Sequence, residues 1–447
     1  MVTKDIFRRI IAEFQQSTLP EIIKRETYYP VLETRKIISV IGPRRSGKTY
    51  FLYQIIKELL NKGIDKRKIL YINFDDSRLL PLEKGSLDLL QESYFELYPE
   101  LVDEDIYMFL DEIQNVDMWE HFVRRVYDTN KVKIFISGSS SKMLSKEIAT
   151  SLRGRTLPHV ILPFSFKEFL LAKGLVPNDL SIYGRDRYKI KKYFMEYLEF
   201  GGFPEVVLEE NKDIRIRILQ EYLDVMIYRD VVERYSVRNL SLLRYVIKYL
   251  LTNVSTHFSI SSLYRAVKSR YSTSKATLND YISYLEDVML VFLVPQYTFS
   301  LKAQMRLPQK LYVIDTGLRN ANCFLFSEDY GRLAENIVFL ELFRDSLREP
   351  QMNIFYWQDR KQHEVDFVIV RRGKVSDLYQ VCWNIDDEKT KRREENGLLN
   401  ALEKFKLEKG YILTEDYTDE KRFGNKLIIY TPIWSWLLLK GKQKRVN

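Results

Sequence analysis

The sequence predicts an α/β protein whose N-terminal part is built on a parallel sheet. Three observations carry that prediction. First, residues 36–41 form a short apolar strand, Gly42-Pro43-Arg44-Arg45-Ser46-Gly47-Lys48-Thr49 is a polar loop bounded by glycines, and residues 50–60 repeat apolar side chains at helical spacing. Second, the apolar run 106–110 ends in two carboxylates, Asp111 and Glu112. Third, strands and helices alternate from 35 to 162, as a sheet covered on both faces requires.

The loop fits the pattern G-x-x-x-x-G-K-[ST]. Its glycines let backbone N–H groups turn toward a triphosphate. Lys48 supplies a point charge for the β and γ oxygens, and the Thr49 hydroxyl can ligate Mg²⁺. Pro43, Arg44, Arg45, Ser46 and Tyr50 complete the candidate nucleotide contacts. The loop opens a helix, whose free N–H groups and dipole favour anions. A chance glycine–lysine loop is the alternative, and the acidic strand end that follows argues against it.

At that strand end, Asp111 is placed to hold Mg²⁺, directly or through water. Glu112 is placed to orient and deprotonate the attacking water. Asn73 closes the strand 70–74 and is read either as a partner of Glu112 or as a turn former. The strand from 133 runs into Ser137-Gly138-Ser139-Ser140. Ser137 or Ser139 would sense the γ-phosphate, with helix capping the alternative for Ser139. Arg153 and Arg155 lie between a helix and the strand 156–162, where either could reach a neighbouring subunit's γ-phosphate as an arginine finger; the alternative is an ordinary surface pair.

The length, 447 residues, predicts two or three domains. A net charge of +9 permits a nucleic-acid or acidic partner without establishing one. Cys323 and Cys382 are the only cysteines, which excludes a disulfide framework and points to a reducing cytoplasm. The N-terminus has no signal-peptide pattern, and even the apolar run 433–439 is far too short to span a membrane. No membrane partner is expected.

Composition and spacing divide the chain further. Residues 1–34 read as a helical lead-in with Phe7, Ile10, Ile11 and Phe14 on one stripe. Residues 35–162 are the sheet domain, and 163–255 a helical lid or connector. Within the latter, Gly201-Gly202-Phe203-Pro204 marks a break, and 213–235 reads as one long helix whose Asp224, Arg229, Asp230 and Arg234 form a solvated face. Residues 256–320 have the order of a winged helix: helices at 259–268 and 274–287, then apolar segments at 291–295 and 310–314. Arg265, Lys268, Arg270 and Lys275 would give its recognition helix a basic approach to DNA; a protein-binding module is the alternative. Residues 321–447 return to α/β, with a helix at 330–347, strands at 354–357, 365–370 and 378–382, a charged helix near 391–405, and strands at 410–414 and 426–430.

With these residues in view, the chain resembles archaeal and bacterial AAA-type P-loop ATPases fused to a C-terminal domain of the restriction-endonuclease-like, Holliday-junction-resolvase-like kind. The resemblance runs over nearly the full length. It rests on the loop 42–49, Leu110-Asp111-Glu112-Ile113-Gln114, Ser137-Gly138-Ser139-Ser140, Gly154-Arg155, Gly201-Gly202-Phe203-Pro204, Glu335-Asn336 and Glu364-Val365-Asp366-Phe367. It implies an ATPase that uses ATP and Mg²⁺; together with the basic module and the arginine pair, the expectation is a switch or motor associated with duplex or branched DNA that shares ATP sites in a homo-oligomer. The alternatives are a nucleotide-gated protein scaffold with slow turnover and a weak metal-dependent nuclease.

Nucleases of that fold hold Mg²⁺ with a helix Glu, a strand Asp and an E/Q-x-K on the next strand. By resemblance, Glu335, Asp366 and Gln380 match, while Cys382 stands in the lysine's place. The implied reading is a relic metal site without cleavage activity, unless a displaced lysine such as Lys389 or Lys391 serves.

Overall fold

The computed structural model describes residues 2–27, 30–82, 85–129, 131–138, 152–178, 181–298, 300–323 and 329–443. The chain divides into two compact units, Met1–Leu162 and Pro163–Asn447.

The first unit is an α/β layer structure. Its sheet comprises β1 (Ile37–Ile41), β2 (Ile69–Asn73), β3 (Ile106–Asp111), β4 (Val132–Ser137) and β5 (Thr156–Val160). The strands run parallel in the order β2-β3-β4-β1-β5. Every residue of β1 is buried, so its apolar run is continuous rather than alternating. Helices α1 (Lys4–Gln16), α2 (Lys48–Asn61), α3 (Ser86–Leu97) and α4 (Trp119–Asp128) cover the sheet. Phe51, Leu52, Ile55, Ile56 and Leu59 of α2 share one core with Ile38 and Val40 of β1, Phe109 and Phe135. The expected lead-in is helical only over Lys4–Gln16. There Phe7, Ile10, Ile11 and Phe14 are buried against the rest of this unit. The chain after Ser17 carries no helix up to residue 27.

The second unit opens with helices α5 (Phe166–Ala172), α6 (Asp186–Phe200), α7 (Pro204–Leu208), α8 (Lys212–Val225) and α9 (Leu240–Thr252). The helix expected over 213–235 is interrupted. Residues Met226–Val232 form a π-helical segment between α8 and a last turn at Glu233–Tyr235. Asp230 lies within this segment and is buried rather than solvated. Asp224 does face outward and pairs with Arg244 at 3.2 Å.

A three-stranded antiparallel sheet follows, formed by β6 (His257–Phe258), β7 (Val291–Val294) and β8 (Gln309–Val313) in the order β6-β8-β7. Helices α10 (Ile260–Val267) and α11 (Lys275–Asp287) lie between β6 and β7 in the chain. Serine caps start both helices, Ser259 and Ser274 accepting from Ser262 N–H and Thr277 N–H. Next come α12 (Thr316–Asn322) and α13 (Tyr330–Arg348).

The last part is a six-stranded mixed sheet of β9 (Met352–Gln358), β10 (Glu364–Arg371), β11 (Lys374–Val381), β12 (Lys409–Thr414), β13 (Asp419–Phe423) and β14 (Lys426–Pro432). Its order is β13-β14-β12-β11-β10-β9. The strands β9, β10 and β11 are antiparallel, and β12 runs parallel to β11 after α14 (Glu388–Phe405). Residues Ile433–Gln443 form a final helix, α15, where the sequence shows only an apolar run. Among the described residues no helix is long and apolar enough to cross a membrane.

Candidate functional site

At the carboxyl end of β1 the chain turns sharply into the loop. Gly42 has φ +153°, and a Cβ there would stand 2.1 Å from the Ile161 carbonyl oxygen. Gly47, at φ 96°, precedes the first residue of α2, and Arg45 is also left-handed at φ 63°. The two glycines therefore sit where the conformation and a close backbone approach require them. The Lys48 side chain is buried, and its ammonium donates to the Gly42 and Pro43 carbonyls at 3.3 and 3.1 Å. This folds the ammonium over the loop. Arg45 and Tyr50 are exposed, Arg44 and Thr49 half-buried, and Ser46 fully buried.

One residue that holds this loop carries no sequence signal. Arg25 is buried, and its guanidinium donates to the Ser46 carbonyl at 2.8 Å and the Leu162 carbonyl at 2.5 Å. The Gln54 side chain clamps the Arg25 backbone on both sides, accepting its N–H at 2.7 Å and donating to its carbonyl at 3.1 Å. Arg25 thus ties the loop to the end of the sheet through charge-assisted hydrogen bonds. It lies in a stretch without periodicity or motif.

The acidic strand end lies beside the loop. Asp111 is fully buried, and burial pushes its carboxyl pKa up, against hydrogen bonds from Ser137, Thr49 and Tyr71 that pull it down. The Ser137 hydroxyl donates to Asp111 Oδ1, and Tyr71 donates to Oδ2 at 3.0 Å. The link from Thr49 joins the phosphate loop to the acidic strand. Tyr71 was invisible in the sequence, being one aromatic residue within an apolar strand.

Glu112 follows in a left-handed conformation, φ 53°. Such a backbone is costly for a side chain with a Cβ and recurs at functional sites. Two neighbours support it. The Glu112 N–H donates to the Ser137 hydroxyl at 3.1 Å, and the Gln114 amide donates to the Glu112 carboxylate. Ser137 therefore engages both carboxylate residues. The strand end was legible; that its serine would brace the acids was not.

Other expected residues stand differently. Asn73 does pair with Asp111 across the parallel strands, but its side-chain oxygen accepts from Asp75 N–H at 2.9 Å. It forms the turn, and Glu112 is bonded to Gln114 instead. Ser139 lies outside the described residues. Arg153 and Arg155 precede β5, and the Arg155 carbonyl accepts from Ile37 N–H at 3.0 Å. That is the amino end of the parallel strands, opposite the loop. β1 alone spans about 15 Å, so neither arginine reaches the phosphate loop of its own chain. Arg155 instead pairs with Asp128 at 3.1 Å.

In the second unit, Arg265, Lys268, Arg270 and Lys275 are all exposed on α10, α11 and the turn between them. Lys275 donates to the Ser261 hydroxyl at 3.0 Å, and among the described residues none of the four pairs with a carboxylate. The structure brings Glu335, Asp366 and Gln380 together. The Gln380 side chain accepts from Asp366 N–H at 3.1 Å and donates to Glu394 at 2.6 Å. Cys382 is buried, its thiol pushed up to about 12 by burial and bonded to the Asn384 carbonyl at 3.3 Å. Neither Lys389, exposed at the start of α14, nor Lys391, whose ammonium lies 4.9 Å from the Tyr417 ring centre, is the cation found at Asp366. That cation is Lys310, at 2.5 Å.

Comparison with known proteins fits this geometry. Residues 34–170 match the AAA domain family model. Residues 191–329 and 330–436 match two further family models, each described as a domain of unknown function, DUF8612 and DUF4143. An uncharacterized protein of Methanocaldococcus jannaschii is 38% identical over 444 residues, covering 97% of this chain and 96% of that protein. An uncharacterized protein of Haemophilus influenzae is 30% identical over 419 residues, covering 92% and 98%. A Walker-type ATPase of Pyrococcus abyssi aligns in structure with a TM-score of 0.38 and 15% identity, over 72% of this chain and 96% of that one. A likeness that loose has no bearing on function.

Proposed function

The chain belongs to the AAA-type P-loop ATPase family that includes these Methanocaldococcus jannaschii and Haemophilus influenzae relatives, and from that premise we propose that it binds ATP at Gly42–Thr49 and hydrolyses it to ADP and phosphate. The observation that carries the reading is the connected row Thr49–Asp111–Ser137–Glu112 beside the loop. Loop N–H groups cradle the phosphates, and Lys48 exchanges its two carbonyl partners for the β and γ oxygens. Arg44, Arg45 and Tyr50 flank them.

Thr49 and Asp111 form a donor set suited to Mg²⁺: a hydroxyl at the start of α2 and a buried carboxylate near enough for that hydroxyl to help lower its pKa. A bound Mg²⁺ would neutralise charge on the phosphates. Glu112 orients a water against the γ-phosphorus and accepts its proton as the new P–O bond forms and the bond to ADP breaks. Gln114 and Ser137 hold Glu112 in position for that transfer. Arg155, or else Arg153, acts only from a neighbouring copy. The test is phosphate release from ATP by the intact chain and by Lys48→Ala. Release by the wild type, with loss of ATP binding in a folded Lys48→Ala protein, supports the assignment; tight ATP binding by Lys48→Ala rejects it.

The middle module is read as a winged helix that contacts DNA. The sheet order β6-β8-β7 enclosing α10 and α11, and the four exposed cations on them, support this. The C-terminal domain is read as a restriction-endonuclease-like fold kept for binding or assembly. Its succession of α13, an antiparallel β9–β11 meander, α14 and a parallel β12 supports that reading.

A further inference from the structure

Lys310 lies on β8, in the middle module, and its side chain is buried to 4% exposure. Its ammonium is surrounded by carboxylates of the C-terminal α/β domain. It stands 2.5 Å from Asp366 Oδ1, 2.7 Å from Glu364 Oε1 and 3.0 Å from Glu335 Oε1. Further partners hold these carboxylates. Asp366 Oδ2 accepts from Val381 N–H at 2.8 Å, Glu335 Oε1 accepts from the Tyr312 hydroxyl at 2.7 Å as well as from Lys310, and Glu364 Oε2 lies 3.3 Å from His257 Nε2. Burial opposes the charge on Lys310, but Asp366 and Glu335 outweigh it and hold its pKa well above the ordinary lysine value.

Two of these carboxylates are those by which a nuclease of this fold would hold a metal ion. The residues present do not fit a metal as they stand. Among the described residues no cluster of three His, Cys, Asp or Glu is arranged to hold one. The ammonium fills the point where their oxygens converge.

We propose that Lys310 is a built-in substitute for a metal ion: its ammonium permanently fills the carboxylate cluster, joins the middle module to the C-terminal domain, and masks a latent divalent-cation site. The inference stands on these contacts and does not depend on the ATPase reading. Of the two common divalent cations, Ca²⁺ tolerates an irregular set of carboxylate oxygens drawn from a helix and a strand, whereas Mg²⁺ demands a near-octahedral one, so Ca²⁺ is the ion expected there. Removing the ammonium leaves the buried Asp366 and the part-buried Glu335 and Glu364 without that counter-charge, which favours uptake of a cation and destabilises the empty protein.

The test is calorimetric titration of the full chain, free of nucleotide, with Ca²⁺ and with Mg²⁺, alongside thermal melts. The wild type should show no Ca²⁺ binding that depends on Asp366. Lys310→Ala should melt about 10 °C lower, take up one Ca²⁺ per chain beyond the wild type, prefer it to Mg²⁺ by tenfold or more, and recover most of the lost Tm. Lys310→Ala combined with Asp366→Asn should lose both effects. Should Lys310→Ala not fold alone, refolding in Ca²⁺ is the readout, and recovery supports the proposal. Ca²⁺ binding by the wild type that disappears in Asp366→Asn would overturn it. So would a Lys310→Ala protein whose folding, melting and binding ignore Ca²⁺.

Discussion

Glu112 shows how a single residue can be poised for proton transfer. Its left-handed backbone would relax if nothing held it, and the Ser137 hydroxyl and Gln114 amide supply the restraint. Ser137→Ala removes one bond to each acid. It should lower kcat about tenfold while leaving ATP affinity within a factor of about three. Steady-state kinetics with a separate binding titration decides this, and an unchanged kcat would reject the bracing role.

His159 offers a second residue-scale test. It is buried in β5, stacked on Phe51 at 4.5 Å, and burial with the nearby Arg25 lowers its pKa to about 3 from 6.5. Its charged form is disfavoured in the fold, so its contribution is complete above pH 6.5. It is lost as pH falls from 6.5 toward 3, by up to about 1.4 kcal/mol per pH unit. His159→Phe should flatten the fall in stability between pH 6 and 4 by that slope, measured by urea unfolding. Identical pH profiles for the two proteins would contradict it.

The carboxylates and the loop lysine were legible because their chemistry needs a fixed spacing in one short stretch. Arg25, Tyr71 and Lys310 were not, because each acts through contacts with distant segments that leave no local pattern.

Elements were legible where periodicity was clear, and obscure where charge or packing overrode it. β13 carries the charged run Asp419-Glu420-Lys421-Arg422 and pairs only at the sheet edge, so no apolar alternation announced it. The π-helical segment breaks α8 without a proline or glycine. The break at 201–204, by contrast, was plain, and its purpose is packing. Gly202 N–H donates to Asp315 at 2.7 Å, and a Cβ on Gly317 would stand 2.0 Å from the Phe200 carbonyl oxygen. Gly317→Ala should therefore destabilise the protein by about 1–3 kcal/mol, read from the denaturation midpoint; a stability loss below about 0.5 kcal/mol would mean that the backbone there yields easily.

The basic face of α10 and α11 makes its own prediction. Neutralising Arg265, Lys268, Arg270 and Lys275 together should weaken binding to duplex DNA and reduce the log–log salt slope by about 0.9 for each phosphate that the protein no longer neutralises. Unchanged affinity and slope would assign this module to a protein partner.

At the scale of the whole molecule, the two units carry separable chemistry, one around the phosphate loop and one around Lys310. Arg153 and Arg155 stand at the wrong end of the sheet for their own loop, so any finger they supply requires a second copy. Mixing Arg155→Ala with Glu112→Gln should then restore part of the turnover that each lacks, as one hybrid site regains both groups. No rescue, in a chain that stays monomeric with ATP, would confine catalysis to one copy.

The most direct test of the ATPase account is Glu112→Gln, measured for ATP affinity and for phosphate release in one preparation. The amide preserves shape and leaves Thr49, Asp111 and Lys48 untouched, but it cannot take the water's proton. The account predicts a Kd within about threefold of wild type and turnover lower by at least about a hundredfold. Near wild-type phosphate release by Glu112→Gln would contradict it and place the proton acceptor elsewhere.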